Sequence, residues 1–108
     1  MAEQSTYVIF PRDFYKWRWY KEPRTVHLYV YLIMSARTER GGYRTVTIER
    51  GQLFTTLERI SEETGLSVAE VRTGINRLTR TGEIKCETYP FGRLITVTDF
   101  EQFMEDDA

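Results

Sequence analysis

Residues 55–84 read TTLERISEETGLSVAEVRTGINRLTRTGEI, and the reading of this stretch decides the fold. It holds two short helical patterns joined through Gly65, Leu66 and Ser67. In the first, Leu57, Ile60 and Ser61 form with Leu66 a short apolar face. In the second, Val68, Val71, Ile75 and Leu78 recur at helical spacing. Each pattern has its own start signal. Thr55 with Glu58, and Ser67 with Glu70, have the spacing of a capping box, in which a hydroxyl accepts from the N3 amide and the N3 carboxylate accepts from the cap amide. Gly65 stands where the first helix must stop, because glycine tolerates left-handed backbone. Gly74 interrupts the second pattern at a cost of about 1 kcal/mol against alanine, which points to close approach by another backbone or to simple tolerance. Thr81-Gly82 ends that helix. Two short helices at a sharp angle, joined through a glycine, form a helix-turn-helix.

Working outward, residues 84–89 and 93–98 are strand-like, and Pro90, Phe91 and Gly92 connect them as a hairpin. Upstream, Thr45 to Ile48 alternates and is β-branched, so it reads as a strand. It is the strand expected to join the hairpin in a small sheet. Glu49-Arg50-Gly51 is a turn, and Gln52 to Phe54 leads into the helix capped by Thr55. Arg37 to Arg44 is a polar loop turned by Gly41-Gly42. Residues 23–36 form a central helix with Pro23 in its first turn. Its segment VHLYVYLIM is apolar nearly all round, which predicts burial or an oligomer interface. Asp13 to Tyr20, DFYKWRWY, reads as a helix with Phe14, Trp17 and Tyr20 on one side, packed on the core; aromatics among cations also stack bases. Tyr7 to Phe10 is a short extended piece ended by Pro11, and Met1 to Thr6 a frayed end. Asp99 to Met104 is a short helix or extension, with Phe100 and Phe103 docking back. The expected class is mostly α with a small antiparallel sheet, an α+β winged helix-turn-helix. One domain spans residues 1–108, with the helix-turn-helix at 55–81, the wing hairpin at 84–98 and an acidic tail at 99–108.

The chain of 108 residues suits one domain with a core that needs no staples. The single cysteine, Cys86, excludes an intrachain disulfide, and with one histidine, His27, no metal site is expected. His27 reads as packed or hydrogen-bonded. There is no signal peptide and no long apolar run, so a cytoplasmic protein without membrane contact is expected. Net charge is −1, but Asp99, Glu101, Glu105, Asp106 and Asp107 crowd the tail. Without them 15 basic residues face 11 acidic ones, a balance of +4. A mildly basic body is compatible with weak phosphate binding. Phosphate-cradling glycine loops, paired Cys/His sites and HExxH are absent from the sequence. The expectation is a protein that is not an enzyme and uses no cofactor.

A recognition helix lies in the major groove with side chains reaching base edges. Here that helix is residues 67–81. Outside its apolar face stand Ser67, Ala69, Glu70, Arg72, Thr73, Asn76, Arg77 and Arg80. Arginine bonds guanine bidentately and asparagine adenine, so Arg72 and Asn76 are the candidate base readers. Arg77, Arg80 and Lys85 are candidate phosphate contacts. Thr73 is a candidate for backbone or a thymine methyl, and Arg93 for a phosphate or the minor groove from the wing tip. Ser67 completes the candidate DNA-binding set, although capping competes for its hydroxyl, and Glu70 repels phosphate. Arg77 and Arg80 also suit the helix C-terminal dipole without any ligand.

RGQLFTTLERISEETGLSVAEVRTGINRLTRTGEI, residues 50–84, resembles the N-terminal winged-helix domain of phage and prophage replication initiators, replisome organisers related to DnaD-like primosome components. WRWYKEP (17–23), ERGQ (49–52) and GRLITVTDFEQF (92–103) are similar to that family's aromatic lead-in, its turn before the motif helix, and its second wing strand with the exit. The resemblance implies DNA replication initiation, with double-stranded DNA as partner, a homodimer or higher oligomer, and recruitment of replication proteins. Such proteins carry a further C-terminal region, whereas this chain reaches an acidic tail, so it is expected to be a fragment or a small stand-alone relative. Val68, Ala69 and Glu70 also depart from the basic or hydroxyl residues that many winged-helix regulators place after the cap. Two other functions fit the same scaffold: a transcriptional regulator, and a module for protein contact and oligomerisation alone.

Overall fold

The computed structural model describes residues 6–106. Of the expected frayed end, residues 1–5 lie outside these, and Thr6 opens a strand. The helices are α1 (Pro23–Ser35), α2 (Leu57–Thr64) and α3 (Val68–Arg80). The strands are β1 (Thr6–Val8), β2 (Gly41–Tyr43), β3 (Val46–Ile48), β4 (Gln52–Thr55), β5 (Ile84–Tyr89), β6 (Gly92–Val97) and β7 (Met104–Asp106). The expectation of a mostly α protein is therefore corrected. Helix takes 41% and strand 26%, and the described strands form three small antiparallel sheets, an α+β class. The extra strands hide in sequence without β-branched runs: β2 is Gly-Gly-Tyr and β7 is Met-Glu-Asp.

The main sheet has the order β4-β6-β5. Tyr89 pairs with Gly92, so Pro90-Phe91 is a two-residue hairpin turn. The strand that joins this hairpin is β4, not the expected Thr45 to Ile48. Within that stretch, β3 pairs with β2 instead, across the turn Arg44-Thr45. The expected polar loop at Arg37 to Arg44 thus ends in a strand. Arg44 takes φ 53° there, a left-handed backbone usually left to glycine in two-residue hairpins.

The register assigns faces. Leu53, Ile95 and Cys86 lie across from one another and turn to the helices, as do Val97 and Ile84. Phe54, Leu94 and Glu87 occupy the opposite face, with Tyr89 further along β5. The main core joins Leu28, Tyr29, Leu32 and Ile33 of α1 to Leu57 and Ile60 of α2, to Val71, Ile75 and Leu78 of α3, and to the inner sheet face. A second, smaller core of Val46, Ile48 and Leu94 seats the β2–β3 hairpin on the outer face.

The cap of α2 falls one residue later than expected. Thr56, not Thr55, accepts from the Arg59 amide at 3.1 Å, while Thr55 is the buried last residue of β4. The α3 capping box forms as its spacing predicts: Glu70 N–H donates to Ser67 at 3.1 Å, and Ser67 N–H to the Glu70 carboxylate at 2.9 Å. Gly65 ends α2 at φ 82°. Gly74 is buried against α1, and a Cβ there would stand 2.5 Å from Leu28 Cδ2, so the close approach is to a side chain.

The aromatic lead-in packs on the core but is not a helix; only Phe14–Lys16 makes a single 3-10 turn. Trp17 stacks on Tyr29 at 4.8 Å and donates to Glu83 at 3.0 Å, and Trp19 donates to Thr81 at 2.9 Å. The lead-in is thereby strapped across the C-terminal end of α3. Burial, then Asp99 and Glu83 nearby, push the Tyr29 hydroxyl up, so it stays protonated. Beyond β6, Phe100–Phe103 form another 3-10 turn whose end phenylalanines dock into the core as expected. The chain then returns as β7 to pair with β1, so the acidic tail passes from the 3-10 turn into a strand. Central helix α1 is less enclosed than its composition predicts: Met34 is 61% exposed.

Candidate nucleic-acid interface

Helix α3 turns Val71, Gly74, Ile75 and Leu78 inward. Arg72, Thr73, Asn76 and Arg80 are exposed on the remaining arc. Among the described residues, Arg72, Asn76 and Arg80 have no side-chain hydrogen bond or ion pair, so their donors are available to a ligand. Arg72 borders a cleft of about 420 Å³ whose other wall is the hairpin tip, Thr88 to Arg93, and whose floor is the start of α2. Arg93 shares a face with Thr88 and Thr55, the face turned to the helices. It is half-buried, and its guanidinium reaches Cys86 Sγ at 3.8 Å. Helix and hairpin thus present arginines to one cleft.

Three of the expected residues stand elsewhere or are occupied. Arg77 lies on the flank turned to α1, where it pairs with Glu22 at 3.2 Å, donates to Thr25 Oγ1 at 3.1 Å and stacks over Trp19 at 5.5 Å. Its charge is spent inside the protein. Ser67 is used by the cap, the alternative that its position next to Glu70 already carried. Lys85 pairs across the sheet with Thr96, on the face away from α3, and does not join Arg72 and Arg93. One-residue alternation along β5 decides that placement.

Arg24 belongs beside the candidate set and was not singled out in the sequence. It opens α1, is exposed, and its guanidinium meets Glu70 at 2.6 Å next to the start of α3. Nothing local signals this pairing, because residues 24 and 70 are brought together only when α1 packs on α3. The Ser67 amide, and then Arg24, hold the Glu70 carboxyl below the ordinary 4.5. A hydrogen bond from Tyr31, then Arg59, lowers Glu63 in the same way. His27 is satisfied as expected, its Nε2 lying 2.8 Å from the Thr64 carbonyl at the end of α2.

Among the described residues no cluster of histidine, cysteine and acidic side chains could hold a metal ion. No helix among them is long and apolar enough to cross a membrane. No protein-family model, no curated protein and no solved structure matches the chain.

Proposed function

We propose that the chain is a duplex-DNA-binding module of the kind that serves a phage-type replication initiator. The observation that carries the DNA part is the unpartnered set Arg72, Asn76 and Arg80 on α3. Neighbouring arginines 24, 59 and 77 are closed by carboxylates; these three side chains are not. In this reading Arg72 and Asn76 contact base edges, Arg80 a phosphate, and Arg93 the backbone from the far side of the cleft. Catalysis has no part in it. A cytoplasmic location and association with other replication proteins follow from the same reading.

The binding is electrostatic at its base, so it weakens as salt rises and counterions are no longer released at a gain. The test is duplex titration at about 50 mM salt and then at about 200 mM, a range over which several phosphate contacts lose orders of magnitude in affinity. Binding that fades with salt supports the proposal. No binding to any duplex at the lower salt ends it, and leaves protein contact as the function.

A further inference from the structure

We propose that the outer face of the β4-β6-β5 sheet, together with the β2–β3 hairpin, is a stacking surface for single-stranded nucleic acid. It lies on the sheet face opposite α3 and does not rest on the duplex proposal. Four rings meet there. Phe54 lies 5.2 Å from Tyr43, 5.4 Å from Phe91 and 5.7 Å from Tyr89. Phe91 closes the group at 5.8 Å from Tyr89 and 6.1 Å from Tyr43. Val46, Ile48 and Leu94 already form the small core that seats the hairpin. The rings extend beyond that core, and Tyr43 is 45% exposed. A groove of about 420 Å³ runs beside Tyr43, Phe54 and Phe91 to the start of α2.

The groove is edged with positive charge. Arg37 and Arg59 line it. Arg44 lies over Phe91 at 4.9 Å and over Tyr43 at 5.5 Å. It holds this position at φ 53°, a backbone state an arginine adopts against its preference. Residues kept in such states concentrate at ligand sites. The carboxylates nearby are Glu63, which pairs with Arg59 at 3.2 Å, and Glu87, which shares the sheet face along β5. Arg40 and Glu49 pair with each other at 3.5 Å. That leaves Arg37 and Arg44 without a carboxylate partner among the described residues. An exposed tyrosine ring backed by three half-buried rings and bordered by guanidinium groups matches a ligand with exposed bases and a phosphate chain. A duplex hides its base faces and leaves the rings unused.

The test is fluorescence anisotropy of a labelled oligothymidylate of about 12 nucleotides, within the usual site sizes for such surfaces, with the full chain at low salt. Binding is expected, weakening as salt rises. Tyr43→Leu should lower affinity about tenfold, the scale of one lost base stack, while Tyr43→Phe retains it. Arg44→Gly removes the guanidinium and relieves the backbone, so affinity falls several-fold with no loss of thermal stability. Arg72→Ala should leave oligothymidylate binding unchanged, which separates this surface from α3. Absence of binding overturns the proposal, as does Tyr43→Leu binding like the parent. Loss of oligothymidylate binding in Arg72→Ala also overturns it, by moving the strand to α3. Displacement by an equal charge of polyglutamate overturns it as well, by reducing the surface to a general anion site.

Discussion

The two flanks of α3 carry the same residue type with opposite consequences. Toward α1, Arg77 is closed by Glu22, Thr25 and Trp19, and Glu70 in turn closes Arg24. Toward the hairpin, Arg72 meets an open cleft shared with Arg93. The two arginines lie little more than a turn apart, so helical periodicity alone sends them to different neighbours. What stands opposite decides the rest. The N-terminal end of α1 offers a carboxylate, a hydroxyl and an indole, whereas the hairpin tip offers a turn and another cation. A count of basic residues is therefore a poor measure of charge available to phosphate. The relevant count is of guanidinium groups that no internal carboxylate has closed.

The largest effect should come from breaking the seam between α1 and α3. Leu28 is fully enclosed and fills the space above Gly74. Leu28→Ala should cost about 3 kcal/mol, measured by denaturant unfolding at unchanged slope. Arg77→Ala removes a half-buried ion pair, a hydrogen bond and a ring contact, and should cost about 1–2 kcal/mol of stability with little change in duplex affinity. Arg72→Ala should show the reverse: unfolding within about 0.5 kcal/mol of the parent, but duplex affinity down about tenfold and sequence preference relaxed. If Arg77→Ala weakens duplex binding as much as Arg72→Ala does, the distinction between the flanks is lost.

The smallest effect is that of pH. The Glu63, Glu70 and Glu101 carboxyls are all held below 4.5 in the folded chain. A lowered folded value means stability that is present above the unfolded value and lost as pH falls through the folded one. Thermal stability should therefore decline on acidification below about pH 4.5. The decline should be modest, since these groups are exposed and screened. Glu70→Gln should flatten it slightly, as followed by melting at successive pH values.

Helices α2 and α3 were legible because their signals are local. The Ser67–Glu70 box, the Gly65 stop and the apolar spacing of α3 all lie within one turn of the features they specify. Thr55 was read as the cap of α2, but its pairing with Arg93 across the sheet leaves the adjacent Thr56 hydroxyl to accept from the Arg59 amide. Strands β2 and β7 were not legible, because each is held by a turn or by a partner distant in sequence and not by β-branched composition, whereas β1 was legible in part as the extended piece at Tyr7 to Phe10. The aromatic lead-in was recognisable as core, but its shape follows from indole bonds to Thr81 and Glu83 that no local pattern carries. The site was half legible for the same reason. Exposure of Arg72, Asn76 and Arg80 follows from helical periodicity. Closure of Arg77 depends on α1 packing beside α3, and exclusion of Lys85 depends on sheet register.

The most direct test of the unequal flanks is the salt dependence of duplex binding for the parent, Arg72→Ala and Arg77→Ala. Each phosphate contact contributes about one unit to the slope of log affinity against log salt. Loss of base reading by Arg72 shows instead as lower affinity for the preferred duplex. The inequality of the flanks predicts that Arg77→Ala keeps the parent's slope and affinity, while Arg72→Ala binds about tenfold more weakly. A slope reduced by about one in Arg77→Ala, with Arg72→Ala unchanged in affinity, would contradict it.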